Sequence, residues 1–182
     1  MKILFTAFIL AVALTGVSLA QTSKPAELKM AVVEFSPGPN ASGMTPDAKR
    51  QLQTALAAAL ARSARFDVAD IRWTRNESQN DLAALNNTSS AAAAVKLGKK
   101  LGVKYVLTGT VEEYTLKGAD GLGYVVIKSR IIEVATGRVK HTTEAAARST
   151  GVVRTTGAVE MHSKTVKPAI DKLAAEILGS KL

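Results

Sequence analysis

The sequence predicts one α/β domain of the three-layer kind. A mixed sheet of about five strands is expected with helices packed on it, in the order strand, helix, strand, two helices, three strands, helix. Three observations carry this fold class. Over residues 28–102, short apolar runs alternate with segments whose apolar positions recur at the helical period, as in parallel strands joined by helices. Two long segments then flank Thr136-Gly137 as the arms of an antiparallel hairpin do. The chain closes on a helical pattern through Val166, Ile170, Leu173, Ala174, Ile177 and Leu178. A length of 182 residues suits a single core.

Leu28 to Phe35 contains Met30-Ala31-Val32-Val33, a compact run of the length and type of a buried strand. Ser36-Pro37-Gly38-Pro39-Asn40 is expected to end it. Thr45 then reads as an N-cap, with Pro46 at the first helical position and Asp47 near the positive end of the dipole. Leu52, Leu56 and Leu60 form the buried stripe of this helix, with Ala55 and Ala59 beside them. Arg65 to Ala69 alternates as a second strand, parallel to the first.

Arg75 to Asn80 looks like an exposed loop, and Asp81 to Leu85 like one or two helical turns. Ser90 is the expected cap of a further helix whose small face is Ala91, Ala94, Val95 and Gly98, terminated by Gly102. Val103 to Val111 is the third strand. Leu122 to Ala135 and Arg138 to Ala147 form the hairpin, with Glu133 expected opposite Lys140 and Val134 opposite Val139. In the last helix Pro168 marks the first turn, with Met161 to Lys167 a looser lead-in.

Residues 1–20 read as a signal peptide. Lys2 is the positive start, Ile3 to Leu14 the apolar centre, and Ser18-Leu19-Ala20 the small residues before cleavage at Gln21. An uncleaved anchor is the alternative, because the apolar stretch approaches membrane length. Residues 21–27 form a polar tether and residues 28–182 the domain. Without Lys2 the remaining chain carries 23 basic and 15 acidic residues, a net charge of +8. Such a surface suits an anionic partner, and in an exported chain that means an envelope protein, a lipid headgroup or an anionic polymer. Plain solubility explains the same charge. With four Phe, three Tyr and one Trp, aromatics are too sparse for stacked recognition of nucleic acid.

The chain contains no cysteine, which excludes disulfides, a thiol nucleophile and a lipid-bearing cysteine. His141 and His162 are the only histidines, and neither has metal-ligand spacing to a second histidine or carboxylate. His141 falls in a strand and His162 just before the last helix. Gly118-Ala119-Asp120-Gly121-Leu122-Gly123 lacks the lysine and hydroxyl residue of a phosphate loop and leads into a strand, so it reads as a connection. No catalytic residue, cofactor or metal site is expected. Asn40, Asn76, Asn86 and Asn87 begin glycosylation tripeptides that arise by chance in polar loops.

Four stretches, taken in order, resemble the curli assembly/transport component family CsgG and its relatives, the penicillin-binding protein activator LpoB and the N-terminal domain of TolB. They are Lys29 to Phe35; Leu56 to Val68 ending in Ser63-Ala64-Arg65-Phe66-Asp67-Val68; Lys96 to Thr110, where a helix runs through Gly102 into a strand that ends near Gly109; and Ile131 to Val139 with Ala135-Thr136-Gly137-Arg138. The resemblance implies a non-catalytic scaffold that recognises envelope proteins or assembles into rings, as a secretion or assembly accessory. Regulation of a cell-wall synthase is the alternative within that scaffold, and an envelope hydrolase the alternative outside it. The intervals Tyr114 to Tyr124 and Ala147 to Met161 are too short to supply four membrane strands of about ten residues each. The expectation is therefore a periplasmic domain, free or peripheral to the outer membrane, with an envelope protein as partner and a homo-oligomer as an open possibility. Its candidate partner-binding face is the basic set Lys128, Arg130, Arg138, Lys140, Arg148 and Arg154 on the late strands and their edges. A solvated face whose charges deter edge pairing is the alternative use of the same residues.

Overall fold

The structure is a computed structural model that describes residues 27–87, 91–153 and 158–182. The signal segment, most of the tether, Ser90 and Arg154 lie outside the described residues. The strands are β1 (Leu28–Val32), β2 (Ser36–Asn40), β3 (Phe66–Val68), β4 (Tyr105–Thr115), β5 (Tyr124–Glu133) and β6 (Val139–Arg148). The helices are α1 (Pro46–Ala61), α2 (Ile71–Ser78), α3 (Leu82–Asn86), α4 (Ala92–Leu101), α5 (Ala158–Met161) and α6 (Lys167–Gly179), with a π-helical turn, His162–Val166, between the last two. The sheet runs β3-β1-β4-β5-β6. β1 is parallel to β3 and β4, while β4, β5 and β6 form an antiparallel meander.

The sheet has six strands where about five were expected. The added strand is β2, the very segment read as the end of the first. β4 is eleven residues long and outruns β1, so after a break at Val33 to Phe35 the chain rejoins it, with Ser36 opposite Thr110 and Asn40 opposite Glu113. Pro37 and Pro39 cannot donate to a ladder, but among the described residues β2 has a strand on one side only, where proline is tolerated.

Apolar periodicity located the two helical layers correctly. On one face α1 and α6 bury Leu52, Leu56, Leu60, Ile170, Leu173 and Ile177 against Met30, Val32, Leu107, Ile127 and Ile131. Thr45 caps α1, its hydroxyl accepting from the Ala48 N–H at 3.2 Å. On the other face Leu85 of α3 and Leu97 and Leu101 of α4 pack on Ala31, Val33, Val106, Ile132 and Val134. Helix α4 lies so close that a Cβ at Gly98 would stand 2.2 Å from a methyl of Val134 and 3.0 Å from one of Val106. The helix ends at Gly102 in the left-handed conformation, φ 65°.

Two local expectations fail. Arg75 to Asn80 is mostly the second half of α2, which Asp70 caps by accepting from the N–H groups of Arg72 (2.8 Å) and Trp73 (2.9 Å). The buried positions of this helix are Thr74 and Ser78, so it carries no apolar stripe to be read. In the hairpin Ile132 pairs with Val139 and Ile131 with His141, leaving Lys140 as an extra residue in a bulge. The connection is also longer than a two-residue turn, because Val134 leaves the strand to pack beneath α4.

The last helix bears out the expected lead-in. Pro168 has no N–H to donate and its ring crowds the carbonyl four residues earlier. The chain widens into the π turn just ahead, where the Lys167 N–H reaches the His162 carbonyl.

Candidate partner-binding face

Helices α3 and α4 cover the β1 side of their sheet face and leave its other half open. On that open half stand Thr110, Tyr124, Val126, Lys128, Thr142, Glu144, Ala146 and Arg148, all half-buried or exposed. The register places Tyr124 opposite Arg148, Val126 opposite Ala146, Lys128 opposite Glu144 and Arg130 opposite Thr142. Opposed residues share a face, so the meander brings Lys128, Arg130 and Arg148 of the expected basic set to one surface, while Arg138 lies in the β5–β6 connection and Lys140 in the bulge.

The assembled surface is a charge mosaic, however, and not a field of unpaired cations. Lys128 pairs with Glu144 at 3.4 Å and Lys140 with Glu133 at 3.9 Å, the latter across the bulge. Arg148 is held by Asp120 and lies 5.1 Å from the centre of the Tyr124 ring. Arg138 is exposed beside the turn, its N–H donating to the Thr136 hydroxyl at 3.3 Å. Arg130 departs most from the expectation. It is buried, and its guanidinium donates to the Thr108 hydroxyl (3.2 Å) and to the carbonyls of Leu85 (3.3 Å) and Asn87. It therefore fixes the end of α3 to the sheet. Burial pushes its pKa below the ordinary guanidinium value.

Asp120 and Asn86 were not picked out as site residues. Asp120 closes the β4–β5 connection by accepting from the Leu122 N–H at 2.9 Å, and its carboxylate also takes the Tyr124 hydroxyl and Arg148. The sequence signal was an aspartate in a glycine-rich turn four residues before a tyrosine. The tyrosine bond above all, then the Leu122 N–H and Arg148, holds the Asp120 pKa below the ordinary carboxylate range. The same bond raises the pKa of Tyr124, and burial raises that of Tyr114.

A spectrophotometric titration of the three tyrosines should therefore show Tyr114 and Tyr124 ionising above the ordinary value of 10.0. Tyr124→Phe should move the Asp120 carboxyl back up toward its ordinary range, read by carbon NMR. Because the folded-state pKa of Asp120 is depressed, what it contributes to stability is present above the ordinary carboxylate pKa and fades as pH falls through the lowered one.

Asn86 is buried and bridges three elements. Its side-chain nitrogen donates to the Glu34 carbonyl (3.1 Å) and the Ser36 hydroxyl (2.8 Å), and its oxygen accepts from the Gly109 N–H (3.0 Å). That burial removes it as a surface glycosylation site. With Thr110, Glu112, Lys128, Arg130 and Thr142 it lines a pocket of about 100 Å³ where α3 meets the open face.

The histidines lie apart. His141 is in β6 opposite Ile131, its Nε2 buried without a hydrogen-bond partner among the described residues, and half-buried His162 lines grooves beside α1. Among the described residues no group of histidine and carboxylate side chains has metal-holding geometry, and no helix is long and apolar enough to cross a membrane.

A hypothetical protein, CT253, from Chlamydia trachomatis has the same fold with a TM-score of 0.56 at 11% identity, over 85% of this chain and 95% of that one. A PelC dodecamer from Paraburkholderia phytofirmans matches with a TM-score of 0.51 at 24% identity, over 82% of this chain and 92% of that one. These likenesses speak for the fold alone. No curated protein matches. Residues 14–146 match the family model of the peptidoglycan-synthase activator LpoB, which corrects the leading expectation of a curli-type CsgG member in favour of the relative named beside it. Spanning well over half of the sequence, the match makes this chain a member of the LpoB family of peptidoglycan-synthase activators.

Proposed function

We propose that this protein activates a peptidoglycan synthase by binding it, and that the open sheet face of β4, β5 and β6 is the surface it binds with. The family match carries the reading of activator. In support of the face, β5 and β6 present Lys128, Glu144, Arg148 and Tyr124 in fixed geometry, each charge held by a neighbour. Charges already positioned lose little freedom when a complementary surface arrives, so they favour specificity and a fast encounter. Arg130 supports this surface from beneath.

Residues 1–20 act in this scheme as an export signal, and the domain of residues 28–182 works in the periplasm beside the synthase. It does no chemistry of its own. Self-assembly is a second reading, favoured by the likeness to PelC, which is a dodecamer.

The test is direct binding of the chain from Gln21 onward to purified peptidoglycan synthases, measured by biolayer interferometry. Saturable binding to one synthase is expected, weakened about tenfold or more by Lys128→Glu with Arg148→Glu. Full affinity in that double variant would remove the open face from the proposal.

A further inference from the structure

Strand β6 is the last of the sheet order, so among the described residues one side of this ten-residue strand has no neighbouring strand. Which residues serve that side follows from one hydrogen bond. The Ser149 N–H donates to the Gly123 carbonyl at 2.9 Å, continuing the β5–β6 ladder. Successive residues of an antiparallel strand point their N–H and C=O groups to alternate sides. Thr142, Glu144, Ala146 and Arg148 therefore turn theirs outward, to the free edge. These are the same residues whose side chains stand on the open face.

Glu144 and Arg148 are opposite in sign and lie symmetrically about Ala146. If a second copy of β6 pairs antiparallel with the first about Ala146, Glu144 of each copy faces Arg148 of the other. Centring on Glu144 instead would oppose Glu144 to itself and Lys140 to Arg148. Centring on Thr142 would oppose Lys140 to Glu144, but it runs the pairing through the bulge at Lys140, where the ladder is irregular. One register thus satisfies both the backbone and the charges. It extends the existing row as well: Lys128, Glu144, then Arg148 and Tyr124 of the second copy, alternating in charge and ending on the ring that already holds that arginine. Alanines 145–147 lie at the centre and leave the backbones room to meet.

We infer that β6 is a self-association edge, through which two copies join into one continuous sheet about a two-fold axis at Ala146. The edge shares Glu144 and Arg148 with the open face, which such a dimer doubles rather than covers, and Ala146→Pro tests the edge without touching those charges. The inference does not rest on synthase activation.

The test is sedimentation equilibrium of the chain from Gln21 onward at about 0.1 mM. A dimer is expected, weakened about tenfold or more in Glu144→Lys and in Arg148→Glu, each of which sets like charges across the axis twice. Mixing those two variants should restore the dimer. The lysine introduced in one copy then meets the glutamate introduced in the other, and the Arg148 that the first retains meets the Glu144 that the second retains. Ala146→Pro removes an outward N–H that β5 does not use, so it should abolish the dimer while leaving the far-ultraviolet circular dichroism unchanged. A monomeric wild type at that concentration, a dimer indifferent to Ala146→Pro, or folded charge variants that stay apart when mixed would each overturn the inference.

Discussion

Replacing Asn86 with leucine is expected to destabilise the fold by about 2–5 kcal/mol, since it strands two buried backbone groups at about 1–3 kcal/mol apiece and a hydroxyl besides. The groups are the Gly109 N–H in the middle of β4 and the Glu34 carbonyl at the break between β1 and β2; the hydroxyl is that of Ser36. Leucine fills the space and satisfies none of them. The loss is not confined to one contact, because Arg130 holds the same end of α3 through the carbonyls of Leu85 and Asn87. A urea titration should show a lower midpoint, and hydrogen exchange at Gly109 should accelerate. An unchanged midpoint would mean that the Asn86 bonds are replaced at no cost.

Leu56→Ala should destabilise by a similar amount for an apolar reason. Leu56 is 0% exposed at the middle of α1, within the core that α1 and α6 share with the sheet. Truncation loses the transfer energy of the removed carbons and leaves a cavity that a shell of helix and sheet cannot fully close, typically about 2–5 kcal/mol in total. Leu116→Ala is the control. Leu116 is 40% exposed beyond the end of β4, so its truncation should stay within about 0.5 kcal/mol. Comparable losses at both positions would contradict the placement of the core.

The elements legible in the sequence are those built by apolar periodicity: β1, the meander β4 to β6, and the stripes of α1, α4 and α6. What stayed hidden was built by polar atoms. β2 carries two prolines and joins the sheet only because β4 is long enough to receive it. α2 buries Thr74 and Ser78, and its Arg75 turns inward to Gln53, donating to the amide oxygen at 2.8 Å. Asn86 and Arg130 are polar residues in buried positions, where sequence pattern reads them as surface.

Register shaped the site in the same way. The sequence paired Glu133 with Lys140, which would set Lys128 opposite Ala145; the observed ladder sets it opposite Glu144. A slip of one residue turns a side chain to the other face of the sheet. The cations were therefore visible as a group, and Glu133 beside Lys140 with them, while Glu144 beside Lys128 was not. Asp120 escaped for a different reason, since a turn aspartate gains its role only when Tyr124 and Arg148 come to it across the sheet.

These pairings bear on how an activator of this kind works. Cations without partners would bind any anionic polymer of the envelope, whereas a mosaic of fixed pairs discriminates by shape and sign. Family membership carries the reading of activator, and the open face is the surface we propose for the protein partner. The most direct measurement is the initial rate of glycan-strand polymerisation by a purified peptidoglycan synthase that binds the chain, with and without residues 21–182 added. The account predicts a saturable increase in rate that is lost with Lys128→Glu and Arg148→Glu together; no increase from any synthase that binds the chain would contradict it.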